Sequence, residues 1–315
     1  MTNLAWKVGD VTITRIAELE WDVPGMGGEH SFWPDATAEA IGAVPWLTPH
    51  FVTSTGDLRL SLHSLLVDTS EMRVVVDTCV GNDKKCHLAD WNQMHNDYLE
   101  KLAAVGWTRE TVSGVLCTQL HVDHVGWNTM WVDGRWVPTF PNARYYFGRR
   151  EYEFCAKETR QYRERLPGWV DEALDISEVM ADSVEPVVDA GLVELVDTDA
   201  IISPEIRLTP TPGHSPGHVS IVIESKDERA VITGDMMHHP MPVAYPKWTC
   251  VFDDDTQQAR HTRINFLEKF ADTPKLSSAL ISRHPRPANW CATEIPFDST
   301  SKAVAFRAVR IAASL

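Results

Sequence analysis

Short apolar runs rich in β-branched residues recur in both halves of the sequence, and a helical pattern follows them each time. The runs predict strands at 11–16, 58–62, 72–76, 112–117, 145–147, 192–196, 207–209, 219–224 and 230–233, with a last strand near Leu280. Helical spacing of apolar residues marks 97–105, 149–190 and 256–270. Strands followed by helices twice over predict an α/β fold in which two sheets pack face to face with helices outside, a four-layer αββα sandwich.

Turn residues indicate where several of these elements end. Gly106 is placed to end a helix in a left-handed conformation, and Asp133-Gly134 is a two-residue hairpin signal. Residues 22–57, which are rich in Gly, Pro and Trp, show little periodicity and predict a long loop or lid. The sequence contains no internal repeat, so we expect a single domain over residues 1–315.

Composition and charge exclude several classes of function. The longest apolar stretches, such as Val74-Val75-Val76, fall far short of the roughly 20 residues that a membrane-spanning helix requires. A net charge of −15 would repel a nucleic-acid backbone, and six scattered cysteines argue against a disulfide framework and a cysteine zinc cluster. The N-terminus has no secretory pattern. We therefore expect a soluble, cytoplasmic protein with a small-molecule substrate, no nucleic-acid partner and no membrane.

Histidines and aspartates follow several of the predicted strands. The segment Gln119-Leu120-His121-Val122-Asp123-His124 comes directly after strand 112–117. Further along, a loop stiffened by prolines presents His214, and two more apolar strands end at Asp235 and at His284. Imidazole and carboxylate together suit zinc, manganese, cobalt or iron(II). The pattern predicts a metal site at the strand ends.

These residues resemble the signature of the metallo-β-lactamase superfamily, on the branch of glyoxalase II, acyl-homoserine lactonases and organophosphorus-ester hydrolases. The signature is His-x-His-x-Asp-His followed by single His, Asp and His ligands, and the resemblance covers roughly residues 58–290. The matching positions here are His121, Asp123, His124, His214, Asp235 and His284. The resemblance implies one or two zinc ions per chain, with Mn, Co or Fe as alternatives, and a homodimer.

One position departs from the signature, because Gln119 stands where the family has its first histidine. In the family that histidine joins the residues matched by His121 and His214 around a first metal. The second metal position, matched by Asp123, His124, Asp235 and His284, does not involve it. An amide oxygen binds zinc more weakly than imidazole. Two arrangements stay open: two ions of which one is weakly held, or a single ion at the second position.

The resemblance also suggests residues around the ligands. Asp77, at the end of strand 72–76, would support the metal histidines, and Tyr245 would donate a hydrogen bond to a developing oxyanion. For Tyr245, packing on Trp248 is the alternative. Arg283 is the alternative occupant of the last ligand position.

Two histidines after Asp235 and an acidic cluster further along the chain have ordinary structural explanations. His238 and His239 follow Asp235 and are expected to be structural residues that face the pocket at most. The cluster 253–255 predicts a solvated helix start.

By this resemblance the chain is a metal-dependent hydrolase that uses a metal-bound hydroxide on an ester or lactone, with thioesters and phosphotriesters as further candidates. Asp123 would orient the hydroxide and accept its proton. Twelve tryptophans favour core packing, or else an apolar rim that selects an apolar substrate. The alternatives are an iron-dependent oxygenase of the same fold and a binding protein with a degenerate metal site.

Overall fold

A computed structural model of the chain describes residues 4–23, 31–165, 176–271 and 276–278. The strands in these ranges are β1 Ala5–Val8, β2 Val11–Val23, β3 Leu58–Asp68, β4 Arg73–Val76, β5 Gly114–Leu116, β6 Thr129–Val132, β7 Arg135–Pro138, β8 Arg144–Gly148, β9 Val193–Val196, β10 Ile201–Ser203, β11 Ile206–Pro210, β12 Val219–Ser225, β13 Glu228–Ile232 and β14 Leu276–Ser278. The helices are α1 Ala38–Gly42, α2 Tyr98–Ala104, α3 Val122–Val125, α4 Arg149–Arg165, α5 Ile176–Val179, α6 Glu185–Asp189, α7 Met241–Ala244 and α8 Thr256–Ala271.

The strands of the described residues form two large sheets and one hairpin. The first sheet has the order β1-β2-β3-β4-β5-β8-β9, the second has the order β10-β11-β12-β13-β14, and β6 pairs with β7. In the first sheet β4, β5, β8 and β9 run parallel to their neighbours in that series. Because parallel strands end at the same edge, the loops that follow β4 and β5 lie side by side.

Successive side chains along a strand point to opposite faces of the first sheet, and each face packs into its own core. Val74 and Val76 of β4 pack against the second sheet, where Ile221 and Ile223 of β12 face them, and all four are buried. Val75 points the other way, to the layer that contains α2 and α4. This is the two-residue period of a strand that is buried on both faces.

A helix also covers the outer face of the second sheet. Val222 of β12 and Val231 of β13 pack there against Phe266 and Leu267 of α8. The order of layers is therefore helices, sheet, sheet, helix, and the predicted αββα sandwich is confirmed.

Residues 22–57 differ from the predicted loop wherever the structure describes them. β2 runs to Val23, and residues 31–57 contain α1 and a 3-10 turn at Pro45–Leu47. Trp33 and Leu47 are buried in a cluster with Met241 and Cys250 of the second half. The segment is packed although its sequence shows no helix or strand period. Its short turns point successive apolar side chains into the core in different directions, so these side chains do not recur at a regular spacing.

The turn predictions hold. Gly106 has φ +80°, and Asp133 and Gly134 have φ +49° and +82° between β6 and β7, as a type I′ hairpin requires.

The last strand is β14, whereas Leu280 lies outside the described residues. Across the described part of the chain, none of the helices has the length and apolar character needed to cross a membrane.

Candidate metal centre

The loop after β5 brings its three signature residues to one place. His121 precedes the short helix α3, on which Asp123 and His124 lie. Thr118, near the start of this loop, donates two hydrogen bonds to the carboxylate of Asp77. One comes from its main-chain nitrogen at 2.8 Å and the other from its hydroxyl at 2.9 Å. The loop after β5 is thereby tied to the residue that follows β4.

The first group of donors joins this loop to the second half of the chain. His121 Nδ1 lies 3.1 Å from His214 Nε2, and His214 Nε2 lies 3.5 Å from Asp235 Oδ2. Both histidines are buried. The structure thus brings His121 and His214, which the signature matches to the first position, together with Asp235, which it matches to the second.

The second group shares Asp235 with the first. His124 Nε2 lies 2.9 Å from Asp235 Oδ2 and 3.6 Å from Asp123 Oδ2. On its other side, His124 Nδ1 lies 3.0 Å from Asp77 Oδ2. Asp77 therefore contacts a candidate ligand through the ring nitrogen that faces away from Asp235, which is the supporting position predicted for it.

Burial and neighbouring charge shift the pKa values of this cluster in different directions. Burial opposes the charged form of His124, but the carboxylates of Asp235, Asp123 and Asp77 outweigh it and raise its pKa well above the ordinary value. Burial, together with the positive charge of His214, lowers the pKa of His121 well below its ordinary value. Burial raises the pKa of Asp123. The centre concentrates titratable groups that water does not stabilise, as functional sites commonly do.

Gln119 lies inside the cluster, at the second group. Its amide Nε2 donates to Asp235 Oδ2 at 2.7 Å and lies 2.9 Å from His124 Nε2. Its carbonyl Oε1 is buried and has no hydrogen-bond partner among the described residues.

His238 was missed as a member of the cluster by the sequence analysis. It lies one turn after Asp235, and its Nε2 is 3.6 Å from Asp235 Oδ2. Its spacing of three residues from a predicted ligand was the available signal.

Asp253 corrects the prediction of a solvated helix start. Its carboxylate is fully buried, 3.4 Å from His214 Nδ1 and 3.6 Å from Arg263 Nη2. Asp255 does behave as predicted, because it accepts hydrogen bonds from the main-chain nitrogens of Gln257 and Gln258 at the start of α8. Nothing in the sequence 253–255 distinguished the buried carboxylate of Asp253 from its two neighbours.

Tyr245 is not brought into the cluster. The hydroxyl of Tyr245 donates to the main-chain oxygen of Ala40 at 2.8 Å, and its ring stacks on Trp248 with centroids 4.2 Å apart. This is the packing role that was the alternative for Tyr245. His284 and its rival Arg283 lie outside the described residues.

Two adjoining cavities open onto the donors. The larger, about 300 Å³, is lined by Trp21, Phe32, Trp33, Trp91 and Phe252 on one side and reaches His121, Asp123 and Asp235 on the other. The smaller, about 90 Å³, is lined by Asp77, His124 and His63 among others. An apolar space that ends at a cluster of polar groups is the usual form of a small-molecule site.

The donor set fits a divalent metal. Zinc with bonds of 2.0–2.1 Å in a tetrahedron keeps its ligand atoms about 3.3 Å apart. The separations that join His121, His214, Asp235 and His124 run from 2.9 to 3.5 Å. The atoms of Asp123, His124 and Asp235 lie within 4.8 Å of one another, and so do those of His214, His238 and Asp253.

Comparisons with known proteins agree with this geometry. The model of the metallo-beta-lactamase superfamily matches residues 59–273. An N-acyl homoserine lactonase of Bacillus cereus is 28% identical over 190 residues, covering 56% of this chain and 63% of that protein. The chain thus matches less than two thirds of the length of this relative.

Solved structures share the fold. The dizinc quorum-quenching lactonase AidC, in complex with a product, superposes with a TM-score of 0.73 at 17% identity, over 98% of both chains. AbOPH, a hydrolase in the beta lactamase superfamily, superposes with a TM-score of 0.69 at 21% identity, over 88% of this chain and 89% of its own. With the family model matching more than half of its residues, the chain belongs to the metallo-beta-lactamase superfamily.

Proposed function

We propose that the protein is a zinc-dependent hydrolase that opens a lactone or cleaves an ester carrying an apolar acyl group. The observation that carries this proposal is the sharing of Asp235 by two donor groups at the end of an aromatic-lined cavity. A divalent cation bound there lowers the pKa of water and polarises a carbonyl oxygen, so that nucleophile and electrophile are assembled together.

Two sets of residues would each hold one cation. His121, His214 and Asp235 would hold one ion, and Asp123, His124 and Asp235 would hold another, with His284 as the further ligand that the signature supplies. Asp77 orients His124 through Nδ1 at 3.0 Å, which leaves Nε2 directed at Asp235. These contacts fix the donors in place before any substrate enters.

Asp123 is the residue suited to move a proton. It lines both cavities, and a carboxylate placed there can accept a proton and release it again. Its carboxylate would orient the attacking water, take the proton and pass it to the leaving oxygen.

The larger cavity accounts for the choice of an apolar acyl group. Trp21, Trp91, Phe32 and Phe252 line it, with Leu60 and Leu62 from β3. A flexible chain buried against such side chains gains about 0.8 kcal/mol per CH₂ group. The relatives named N-acyl homoserine lactonase support a lactone as the reacting group.

A panel of N-acyl homoserine lactones with acyl chains of increasing length, with simple esters beside them, tests the proposal. We expect kcat/KM of the zinc-loaded protein to rise with chain length until the cavity is full. Trp91→Ala should reduce kcat/KM for long chains more than for short ones. Zinc-loaded protein that hydrolyses no member of the panel would contradict the proposal, and iron recovered from protein made in its native host would favour the oxygenase alternative.

A further inference from the structure

We propose that His238 supplies the third nitrogen donor at the first metal position, the one that Gln119 leaves without its histidine. The inference rests on the proposed metal-dependent function. It assigns a ligand role to a residue that the superfamily signature does not contain.

The backbone places His238 beside the bridging carboxylate. Gly234–Met237 form a 3-10 turn, and side chains three residues apart in such a turn lie above one another. His238 therefore faces the same side as Asp235, and its Nε2 lies 3.6 Å from Asp235 Oδ2.

The ring of His238 also lies against a first-position ligand. The ring centroids of His238 and His214 are 4.6 Å apart, with their planes at 73°. His214 Nε2 in turn lies 3.5 Å from the same Asp235 oxygen and 3.1 Å from His121 Nδ1. Three imidazoles thus lie together near Asp235, and these separations of 3.1–3.6 Å are close to the spacing of ligand atoms around zinc.

The nitrogen of His238 that faces this position has no other partner. Nε2 is buried and makes no hydrogen bond to any described residue. A buried polar atom without a partner destabilises the fold, and coordination of an ion would remove that cost. Trp33 packs edge-on against the ring, with centroids 6.1 Å apart, and limits its rotation.

Gln119 contacts the second donor group. Its amide contacts His124 at 2.9 Å, a residue of the second position, and donates to Asp235 at 2.7 Å. An amide nitrogen donates a hydrogen bond and does not coordinate zinc. In this arrangement Gln119 positions the bridging carboxylate, and His238 provides the missing imidazole.

Zinc binding measured against a competing chelator tests the assignment. We expect wild-type protein to bind two zinc ions per chain and His238→Phe to lose the weaker one. Its affinity should fall at least 10-fold, because even the outer partners of metal ligands are worth about 10- to 100-fold. His239→Gln is the matched control, since the His239 ring lies 3.0 Å from the main-chain oxygen of Phe51 and accepts from the nitrogen of Met241. This control should keep both ions.

A double variant makes the test specific to the exchange of ligands. Gln119→His combined with His238→Phe should regain the second ion, because the superfamily signature has its first-position histidine at residue 119. The visible absorption of the cobalt-loaded proteins, which reports the number and type of donors, should change in His238→Phe and return toward the wild-type spectrum in the double variant.

Other results would overturn the inference. One is a His238→Phe variant that retains both ions at wild-type affinity and has an unchanged cobalt spectrum. A wild-type protein with a single ion that does not depend on His238 is another. Thermal unfolding of the metal-free proteins reports folding, and His238→Gln, which should also lose at least 10-fold in affinity, replaces the Phe variant if that one does not fold. Protein that binds two ions through His238 but hydrolyses no lactone would contradict the proposed function alone.

Discussion

At the scale of single residues, Asp235 is the most heavily engaged side chain of the centre. Its Oδ2 lies within 3.6 Å of His124, His214 and His238 and accepts from Gln119. Burial opposes its charged form, but the positive charges of His124 and His238 outweigh burial and hold its pKa well below the ordinary value. The carboxylate therefore favours its ionised form, the form in which it could hold a cation.

Replacing His124 or Asp235 by Ala should remove zinc from the second position and abolish hydrolysis together. Each variant deletes a donor of the shared group and leaves the remaining charges without a partner. Metal analysis beside a lactone assay measures both effects. His95→Ala, at a histidine whose side chain is 74% exposed, is the control that should keep metal and rate. A variant with full zinc and full rate would show that its residue is not a ligand.

Replacing Asp77 by Ala should have a smaller effect. The carboxylate lies 3.0 Å from His124 Nδ1 and would act on the metal through that ring, so its loss should weaken zinc retention about 10- to 100-fold. Chelator competition gives the affinity, and Asp68→Ala, at the end of β3, is the control. Affinity equal to that of the wild type would argue that His124 is held by packing alone.

At the scale of elements, α4 connects to the loop that carries His214. The Oε2 atom of Glu151 accepts hydrogen bonds from the hydroxyl of Ser215 at 2.8 Å and from the main-chain nitrogen of Gly217 at 2.9 Å. A Cβ atom at Gly217 would lie 2.3 Å from the main-chain nitrogen of Glu151, so only glycine fits there. The position of His214 thus depends on a helix far from it in sequence.

Glu151→Ala should destabilise the protein and weaken zinc at the first position. The change leaves two buried donors unpaired and opens a small cavity, for which we expect about 2–4 kcal/mol. Urea unfolding of the metal-free protein gives the free energy, and Glu153→Ala, exposed on the same helix, is the matched control. Equal stability of the two variants would contradict this role of Glu151.

A buried lysine ties the segment after β4 to the helical layer. Lys84 is 2% exposed, donates to the hydroxyl of Thr129 and to the main-chain oxygen of Asp182, and its ammonium lies 3.5 Å from the ring centroid of Trp136. Burial lowers the pKa of Lys84 to about 8. The unfolded chain, in which this pKa is about 10.4, binds more protons between these values, so the stability contributed at Lys84 rises as the pH rises through this window.

The pH dependence of unfolding checks this sign. Between pH 7.5 and 10 the free energy of unfolding of the wild type should rise relative to Lys84→Met by about 2 kcal/mol. Lys85→Met, at an exposed neighbour, should show no such change relative to the wild type. A difference between wild type and Lys84→Met that is the same at both pH values would place the folded pKa of Lys84 near its unfolded value.

Strand ends were predictable from the sequence, and contacts between distant turns were not. The strand end at Asp77 could be predicted because the apolar run Val74–Val76 has the length of a strand and is followed directly by a charged residue. His238 was missed because its spacing of three residues from Asp235 places it beside that carboxylate only if the chain forms the 3-10 turn seen at Gly234–Met237. Asp253 was misassigned because its burial is set by Arg263 of α8 and by His214, and neither neighbour is local in sequence.

At the scale of the whole molecule, the two halves of the chain each supply part of the centre. His121, Asp123 and His124 follow a strand of the first sheet, whereas His214 and Asp235 come from loops of the second. Packing of Val76 and Leu116 against Ile221 and Ile232 between the sheets therefore fixes the distance between donors. The segment 31–57, buried against the second half, supplies Phe32 and Trp33 to the larger cavity.

Removal and return of zinc tests the central claim, metal-dependent hydrolysis at this centre, most directly. Protein stripped with a chelator is titrated with zinc while bound zinc per chain and the rate of lactone hydrolysis are followed in the same samples. We expect stripped protein to be inactive and the rate to rise with zinc until the donor groups around Asp235 are filled. Stripped protein that hydrolyses the lactone as fast as the zinc-loaded protein would contradict it.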